Sequence, residues 1–233
     1  MKEKVTAIVP GAGLGKRFGP DTNKPFHALL GKPLIVWTLE VFESMNEIHE
    51  IIPVLKVPDM ETGIEMFERY GLSKVKRIAP GGRERQDSVH NALKLIKDRD
   101  NLVLVHDGAR PLVDSGIVRT ALQNISGFDG VVVGVPVKDT IKEVADSMVK
   151  RTLKRETLWA IQTPQVFIQK TLVKAYGTAM EEKFYSTDDA ALLERSAGKV
   201  KIIMGSYSNI KVTTPEDIPL AEYLLKGRGK DGR

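Results

Sequence analysis

The chain has 233 residues, 42% hydrophobic and 28% charged, with 20 Gly, 12 Pro and no Cys, a usage that excludes a disordered, collagen-like or disulfide-stapled protein. Without cysteine there is no thiol nucleophile and no thiolate metal site, which suits a reducing cytosol. The formal charge of +5 is unevenly spread, because the segment 226–233 carries four bases and one acid while the body before it is nearly balanced.

That tail reads as a flexible basic terminus. With no long basic run in the body and only 6% aromatic residues, the chain offers no platform for nucleic acid. No apolar stretch approaches the ~20 residues that a membrane span needs, and the opening MKEKVTAIVPGAG lacks the apolar region and cleavage site of a signal peptide. A cytoplasmic protein without membrane contact is the expectation.

Strand and helix patterns alternate from the start, which predicts an α/β fold with a mostly parallel central sheet flanked by helices. Val5 to Val9 is a β-rich run ending in a glycine cluster, and Leu34 to Glu43 reads as a helix. Strands are expected over Glu50 to Val57, Val75 to Ala79 and Leu102 to Val105, each closed by Pro, Gly or Asp. Between them, Gln86 to Lys97 aligns Val89, Leu93 and Ile96 on one helical stripe, and Ser115 to Ile125 aligns Ile117, Val118, Ala121, Leu122 and Ile125. Gly130 to Val135 is a fifth strand. Ile161 to Phe167 is extended, and its proline predicts a sheet edge or a turn. A helix is expected from Asp188 to about Ala197. Thr214-Pro215-Glu216-Asp217 reads as an N-cap with proline at the first helical position, opening a last helix that runs to about Leu225.

One stretch breaks this rhythm. Lys138 to Glu156 is charged and alternates around the turn-prone Ala145-Asp146-Ser147, the pattern of a β-hairpin projecting from the sheet. A lone two-stranded ribbon is marginally stable in water, so a second subunit is the expected support. The organisation expected is one domain over 1–225 with a protruding arm at 138–156, followed by the basic tail.

Four segments could carry chemistry. GAGLGKRFG after the first strand is a glycine turn whose N–H groups can approach an anion, with Arg17 and Lys24 to neutralise it. It matches neither the Walker A nor the dinucleotide-binding glycine pattern. Gly81-Gly82 leads into a helix on which Ser88 can donate a hydroxyl hydrogen bond, although for the segment taken alone simple capping by Asp87 or Ser88 is the better explanation. His106-Asp107-Gly108-Ala109-Arg110 sits at the carboxyl end of a buried strand, where α/β sheets place ligands. There His106 reads as a structural residue, while Asp107 and Arg110 could bind a polyol, a phosphate or a divalent ion or could simply pair with each other, the pairing being a stronger alternative for Arg110 than for Asp107. Asp188 and Asp189 read as first-turn acids of a helix. Lys211, in a β-like run, would be costly to bury without an anion. No nucleophilic triad or paired catalytic carboxylates appear, so the pattern points to phosphate electrostatics.

Taken in order, GAGLGKRFG with Lys24, GGRERQDSV, VHDGARPLV, VPVKDTIK, RETLWAIQTPQVF, STDDAALLE and NIKVTTPEDIPLAE resemble the 2-C-methyl-D-erythritol 4-phosphate cytidylyltransferase family of the non-mevalonate isoprenoid pathway. The resemblance implies a Rossmann-like nucleotidyltransferase fold, transfer of CMP from CTP to methylerythritol phosphate with release of pyrophosphate, and a need for Mg²⁺ or another divalent ion. It implies that Arg17 and Lys24 stabilise the transition state and that Ala12, Gly13, Gly15, Lys24, Gly82 and Ser88 bind CTP. Asp107, Arg110, Thr140, Arg155 and Lys211 then bind the acceptor, with Arg155 and Lys211 positioning its phosphate. It names no metal ligand, and Asp107 stands as the candidate. It also implies a homodimer in which the arm crosses to the neighbour, taking Thr140 and Arg155 with it. The nearest alternative is a ribitol-5-phosphate cytidylyltransferase or another sugar-phosphate nucleotidyltransferase. Departures cluster at Pro10-Gly11-Ala12-Gly13, at Asn23-Lys24-Pro25-Phe26-His27, and at Ala92.

Overall fold

A computed structural model describes residues 4–13, 18, 23–97 and 101–228. Strand β1 (Val5–Pro10) is made of β-branched and small apolar residues and is buried on both faces, as a central strand between two helical layers must be. It pairs in parallel with β4 (Ile48–Leu55) and β6 (Leu102–Val105). Between β1 and β4 lie a short antiparallel pair, β2 (Ala28–Leu29) and β3 (Lys32–Pro33), and helix α1 (Leu34–Glu43), whose bounds are those expected. Helix α2 (Met60–Arg69) follows β4. The strand expected over Val75 to Ala79 shrinks to a bridge between Val75 and Ile51 and the two-residue β5 (Ala79–Pro80). Between the two, Arg77 is held to β4 through its side chain, paired with Glu50 at 2.6 Å.

Beyond β5 come α3 (Arg85–Leu95), β6, α4 (Ser115–Gln123) and β7 (Gly130–Pro136). Asp114 caps α4, its Oδ1 accepting from the N–H groups of Gly116 at 2.8 Å and Ile117 at 3.2 Å. The expected arm is present as β8 (Lys142–Ala145) and β9 (Met148–Thr152), a two-stranded sheet of its own. After it, β10 (Trp159–Ile168), α5 (Gln169–Glu181), α6 (Ala190–Arg195), β11 (Val200–Met204) and α7 (Asp217–Arg228) complete the chain.

The sheet runs β11-β7-β10-β6-β1-β4-β5, parallel except for β10, which is antiparallel to both β6 and β7. The proline in β10 therefore marks neither an edge nor a turn. The register slips between Gln162 and Gln165, which face the adjacent Val133 and Val132, so Thr163 and Pro164 step out of the ladder and proline needs no partner for its missing N–H. Alternate residues of the strands build two cores. On one face Val5, Ala7 and Val9 meet α1, α2 and α4, and on the other Ile8, Val103 and Val105 meet α3, α5 and α6. A third cluster joins Leu29, Leu34 and Leu112 to Val212 and Ala221, so α7 backs the segment that carries Lys24.

Two expectations about the last helix change. It begins at Asp217 rather than at Pro215. Asp217 Oδ2 accepts from the N–H groups of Thr213 at 2.7 Å and Thr214 at 2.9 Å, which ties the preceding turn to the first helical residue. The helix also passes Leu225 and ends at Arg228, whose guanidinium donates to the carbonyls of Leu112 and Val113. Lys226 to Arg228 thus belong to the helix rather than to a flexible tail, and 229–233 lie outside the described residues.

Candidate active site

The loops after β1, β4, β5 and β6 meet at the carboxyl ends of their strands and are stitched by main-chain bonds. Gly11 N donates to Val54 O at 2.8 Å, Gly81 N to Leu55 O at 2.7 Å and Gly108 N to Pro10 O at 3.0 Å. The approach is close enough to require glycine at two points. A Cβ on Gly81 would stand 2.3 Å from the Ala12 Cβ, and one on Gly82 would stand 2.2 Å from the Asp87 Cβ. Between the loops lies a cavity of about 850 Å³ lined by Ala12, Gly13, Lys24, Lys56, Gly82, Arg85, Ser88, Asp107 and Lys211 among others.

Lys24 opens a 3-10 turn over Lys24–Phe26, and its ammonium donates to Val212 O at 2.9 Å. It is thereby tied to the segment that carries Lys211. Ser88 sits in the first turn of α3, accepts from Gly82 N at 3.0 Å and donates to Glu84 O at 3.1 Å, so its hydroxyl shapes the loop. Asp87 accepts from Glu84 N at 2.9 Å and supplies the cap.

Asp107 is the electrostatic centre. Its Oδ1 lies 3.1 Å from Arg85 Nε and its Oδ2 lies 2.6 Å from Lys211 Nζ, with Arg110 Nε at 4.0 Å. Burial alone would raise its pKa, but Arg85, Lys211 and Arg110 hold the carboxyl well below the usual carboxylate range. Arg110 also donates to Asn209 O at 2.7 Å, which fixes the 209–211 segment over the cavity. His106 is fully buried, its Nε2 lying 3.2 Å from Arg110 O, and burial pushes its pKa down to about 4. The structural reading of His106 fits.

Of the sequence candidates, Ala12, Gly13, Lys24, Gly82, Ser88, Asp107 and Lys211 line the cavity, and Arg110 buttresses it. Gly15 and Arg17 lie outside the described residues. Thr140 and Arg155 are exposed on the arm and do not line it, Arg155 donating instead to Lys138 O at 2.7 Å. Lys211 departs from expectation. Its side chain is 41% exposed and its anion is Asp107, so the carboxylate next door removes the cost that burial would have imposed. The first-turn reading of the acidic pair fails, because α6 begins at Ala190 with no acid in its first turn. Asp188 precedes the helix, its Oδ1 accepting from Ala191 N at 3.3 Å, and Asp189 is 1% exposed and paired with Arg85 at 2.8 Å. Sequence reasoning gave no role to Arg85, although it stands in one of the motifs, between two glycines and the helix.

Among the described residues no group of three His, Cys, Asp or Glu could hold a metal. Of the two carboxylates that line the cavity, Asp107 has both oxygens on cations and Glu84 is the N-cap of α3. The residues present do not by themselves fit a divalent ion.

A Rossmann-like sheet with glycine loops and converging cations at its carboxyl edge defines a nucleotide-handling α/β transferase. Comparison with known proteins narrows the class. The family model for "IspD: 2-C-methyl-D-erythritol 4-phosphate cytidylyltransferase" matches residues 5–227, and the chain belongs to this family, a transferase family of non-mevalonate isoprenoid biosynthesis. It is 43% identical to the 2-C-methyl-D-erythritol 4-phosphate cytidylyltransferase of Geotalea uraniireducens over 96% of this chain and 97% of that one. It is 44% identical to that of Alkaliphilus metalliredigens over 100% and 97%. The crystal structure of 4-diphosphocytidyl-2C-methyl-D-erythritol synthase from Anaerococcus prevotii matches with a TM-score of 0.85 at 31% identity, covering 97% of this chain and 100% of that one.

Proposed function

We propose that the chain transfers the cytidylyl group of CTP to 2-C-methyl-D-erythritol 4-phosphate and releases pyrophosphate. The observation that carries this reading is the convergence of Lys24 and Lys211 on one cavity faced by glycine loops, at the end of the sheet where α/β proteins bind nucleotides. Its volume of about 850 Å³ lies in the usual range for small-molecule sites.

The mechanism follows from charge. An oxygen of the acceptor phosphate forms a bond to the α-phosphorus of CTP, and the bond from that phosphorus to the bridging oxygen breaks, pyrophosphate leaving with the electron pair. Both reactants are anions, so the protein's task is alignment and neutralisation. The glycine loops 11–13 and 81–82 supply close backbone approach for the nucleotide. Lys24, held by Val212 O, faces the triphosphate, and the family resemblance gives Arg17 the same task. Lys211, steered by Asp107, faces the acceptor phosphate. A divalent ion brought in with the nucleotide would add positive charge to the triphosphate.

The arm supports a homodimer. Val144, Met148 and Val149 are 55%, 67% and 59% exposed, more apolar surface than a solvated ribbon would carry, and Thr140 and Arg155 would reach a neighbour's cavity from it. No helix among the described residues is long and apolar enough to cross a membrane, and charged, water-soluble substrates suit a cytoplasmic enzyme. Ribitol 5-phosphate as acceptor is disfavoured by relatives at 43% and 44% identity that are named for the erythritol phosphate.

The test is pyrophosphate release with each nucleoside triphosphate against methylerythritol phosphate and ribitol phosphate, with and without Mg²⁺. Turnover is expected with CTP and methylerythritol phosphate together. A higher kcat/KM with ribitol phosphate would overturn the acceptor assignment.

A further inference from the structure

Arg85, the first residue of α3, does not merely neutralise Asp107. Its Nε lies 3.1 Å from Asp107 Oδ1 while its Nη1 lies 2.8 Å from Asp189 Oδ2, so one planar guanidinium is forked between carboxylates that follow β6 and precede α6. The Asp107 end is a hydrogen bond and the Asp189 end an ion pair, the Asp189 Oδ2 making no hydrogen bond, and a flat cation held at both ends has its rotation restricted. Asp189 is in turn fixed from behind. Its Oδ1 accepts from the hydroxyl of Tyr176 on α5, and Tyr176 is fully buried. Burial and the neighbouring carboxylate push the phenol well above its ordinary pKa, so it remains a donor.

A buried carboxylate is costly unless paired, and this one lies outside the cavity lining, which argues for a task performed through Arg85. Asp107 would otherwise be one carboxylate among three cations. With Asp189 in place Arg85 is committed, and the most exposed of the three is Lys211, at 41% against 25% for Arg85 and 11% for Arg110. If Asp189 lost its charge, the guanidinium would be free to take both Asp107 oxygens, displacing Lys211, or to swing toward a bound phosphate.

We infer that Asp189 and Tyr176 are positioning residues for the acceptor side of the reaction, holding Arg85 so that Asp107 keeps one oxygen for Lys211 and Lys211 stays turned to the acceptor phosphate. This rests on the reading that Asp107 and Lys211 serve the acceptor.

The experiment measures KM for methylerythritol phosphate and for CTP separately in Asp189→Asn, Tyr176→Phe and Arg85→Lys, with Lys211→Ala as the control on that reading. Asp189→Asn is expected to raise the acceptor KM about tenfold, the effect of losing one hydrogen bond to a charged group, while the CTP KM stays within about twofold. Arg85→Lys, which keeps the charge and loses the fork, should follow it, and Tyr176→Phe should follow more weakly. In a double-mutant cycle Asp189→Asn and Asp107→Asn should be strongly non-additive. A merely structural role would lower kcat through lost folded enzyme and leave both KM values alone, and that result overturns the inference, as does an equal rise in the two KM values. Should Asp189→Asn fail to fold, Tyr176→Phe and Arg85→Lys decide the question by the same split. If Lys211→Ala leaves the acceptor KM unchanged, the reading of the acceptor site fails. If it raises that KM and the other three variants do not, only the relay fails.

Discussion

Around Asp107, three cations and two carboxylates drawn from the ends of β6, α3 and α6 and from the 209–211 segment interlock within a few ångströms. Along the arm, charged side chains pair across their own ribbon, Arg151 with Glu143 at 2.6 Å and Lys142 with the Thr152 hydroxyl at 2.6 Å. Pairs of the second kind sit in water and contribute little. Those of the first kind are shielded and fix geometry. The same residue types thus make a preorganised site in one place and an adaptable surface in the other, and what separates them is packing. The cluster around Asp107 closes within its own chain, whereas the arm displays Val144, Met148 and Val149 to solvent and is fit to pack on another.

The harshest way to break the cleft while sparing the arm is Lys24→Ala. Loss of a preorganised charge facing the transition state should lower kcat by roughly 10²–10³-fold, with a smaller change in the KM for CTP. A raised KM at constant kcat would assign Lys24 to ground-state binding alone.

Mixing variants joins the two regions. Lys211→Ala and Arg155→Ala chains should each be nearly inactive, but if Arg155 serves the partner's cavity, a mixed dimer has one site with both lesions and one with neither. Random exchange in equal amounts should then restore roughly a quarter of wild-type activity. No recovery in a preparation shown by sedimentation to have exchanged would place both residues in one subunit's site.

The smallest effect sharpens the cleft side. Burial holds His106 neutral with a pKa pushed down to about 4, against about 6.5 in the unfolded chain. Above pH 6.5 neither state is protonated at this ring and stability is full. As pH falls from 6.5 toward 4 the unfolded chain takes up a proton that the folded chain refuses, and up to roughly 3 kcal/mol is lost. Melting temperatures measured across this range should slope less steeply in His106→Gln than in the wild type, and identical slopes would remove His106 from the account.

Where local chemistry decided the structure, the sequence was readable. Leu34 to Glu43 follows a proline and is apolar nearly all round, as suits a helix packed between two clusters, and it forms the helix expected. The glycine turns and Asp107 stand at the ends of strands, where their neighbours announce a site. Pro164 misled because tertiary pairing absorbed it through a slipped register that nothing nearby signals. Helices α2 and α5 and the edge strand β11 went unread, although Leu172, Ala175, Tyr176 and Ala179 repeat at helical spacing. Arg85 and Asp189 could not be paired from the sequence, since 104 positions separate them and each has a local excuse, the arginine on a helix start and the aspartate before a helix.

The placement of β10 has a consequence for how the molecule is made. Chains emerge from the ribosome N-terminus first, and domains fold as their parts appear. The parallel group β5, β4, β1 and β6 is available once residue 105 has been synthesised. Its union with β7 waits for β10, which lies between β6 and β7 and ends at Ile168. The Lys211 ammonium, the Val212 carbonyl that holds Lys24 and the Asn209 carbonyl that anchors Arg110 come later still. A nascent chain can therefore own most of its sheet while lacking a working centre. Premature termination anywhere before residue 209 yields an inert product, however much of the scaffold has already assembled.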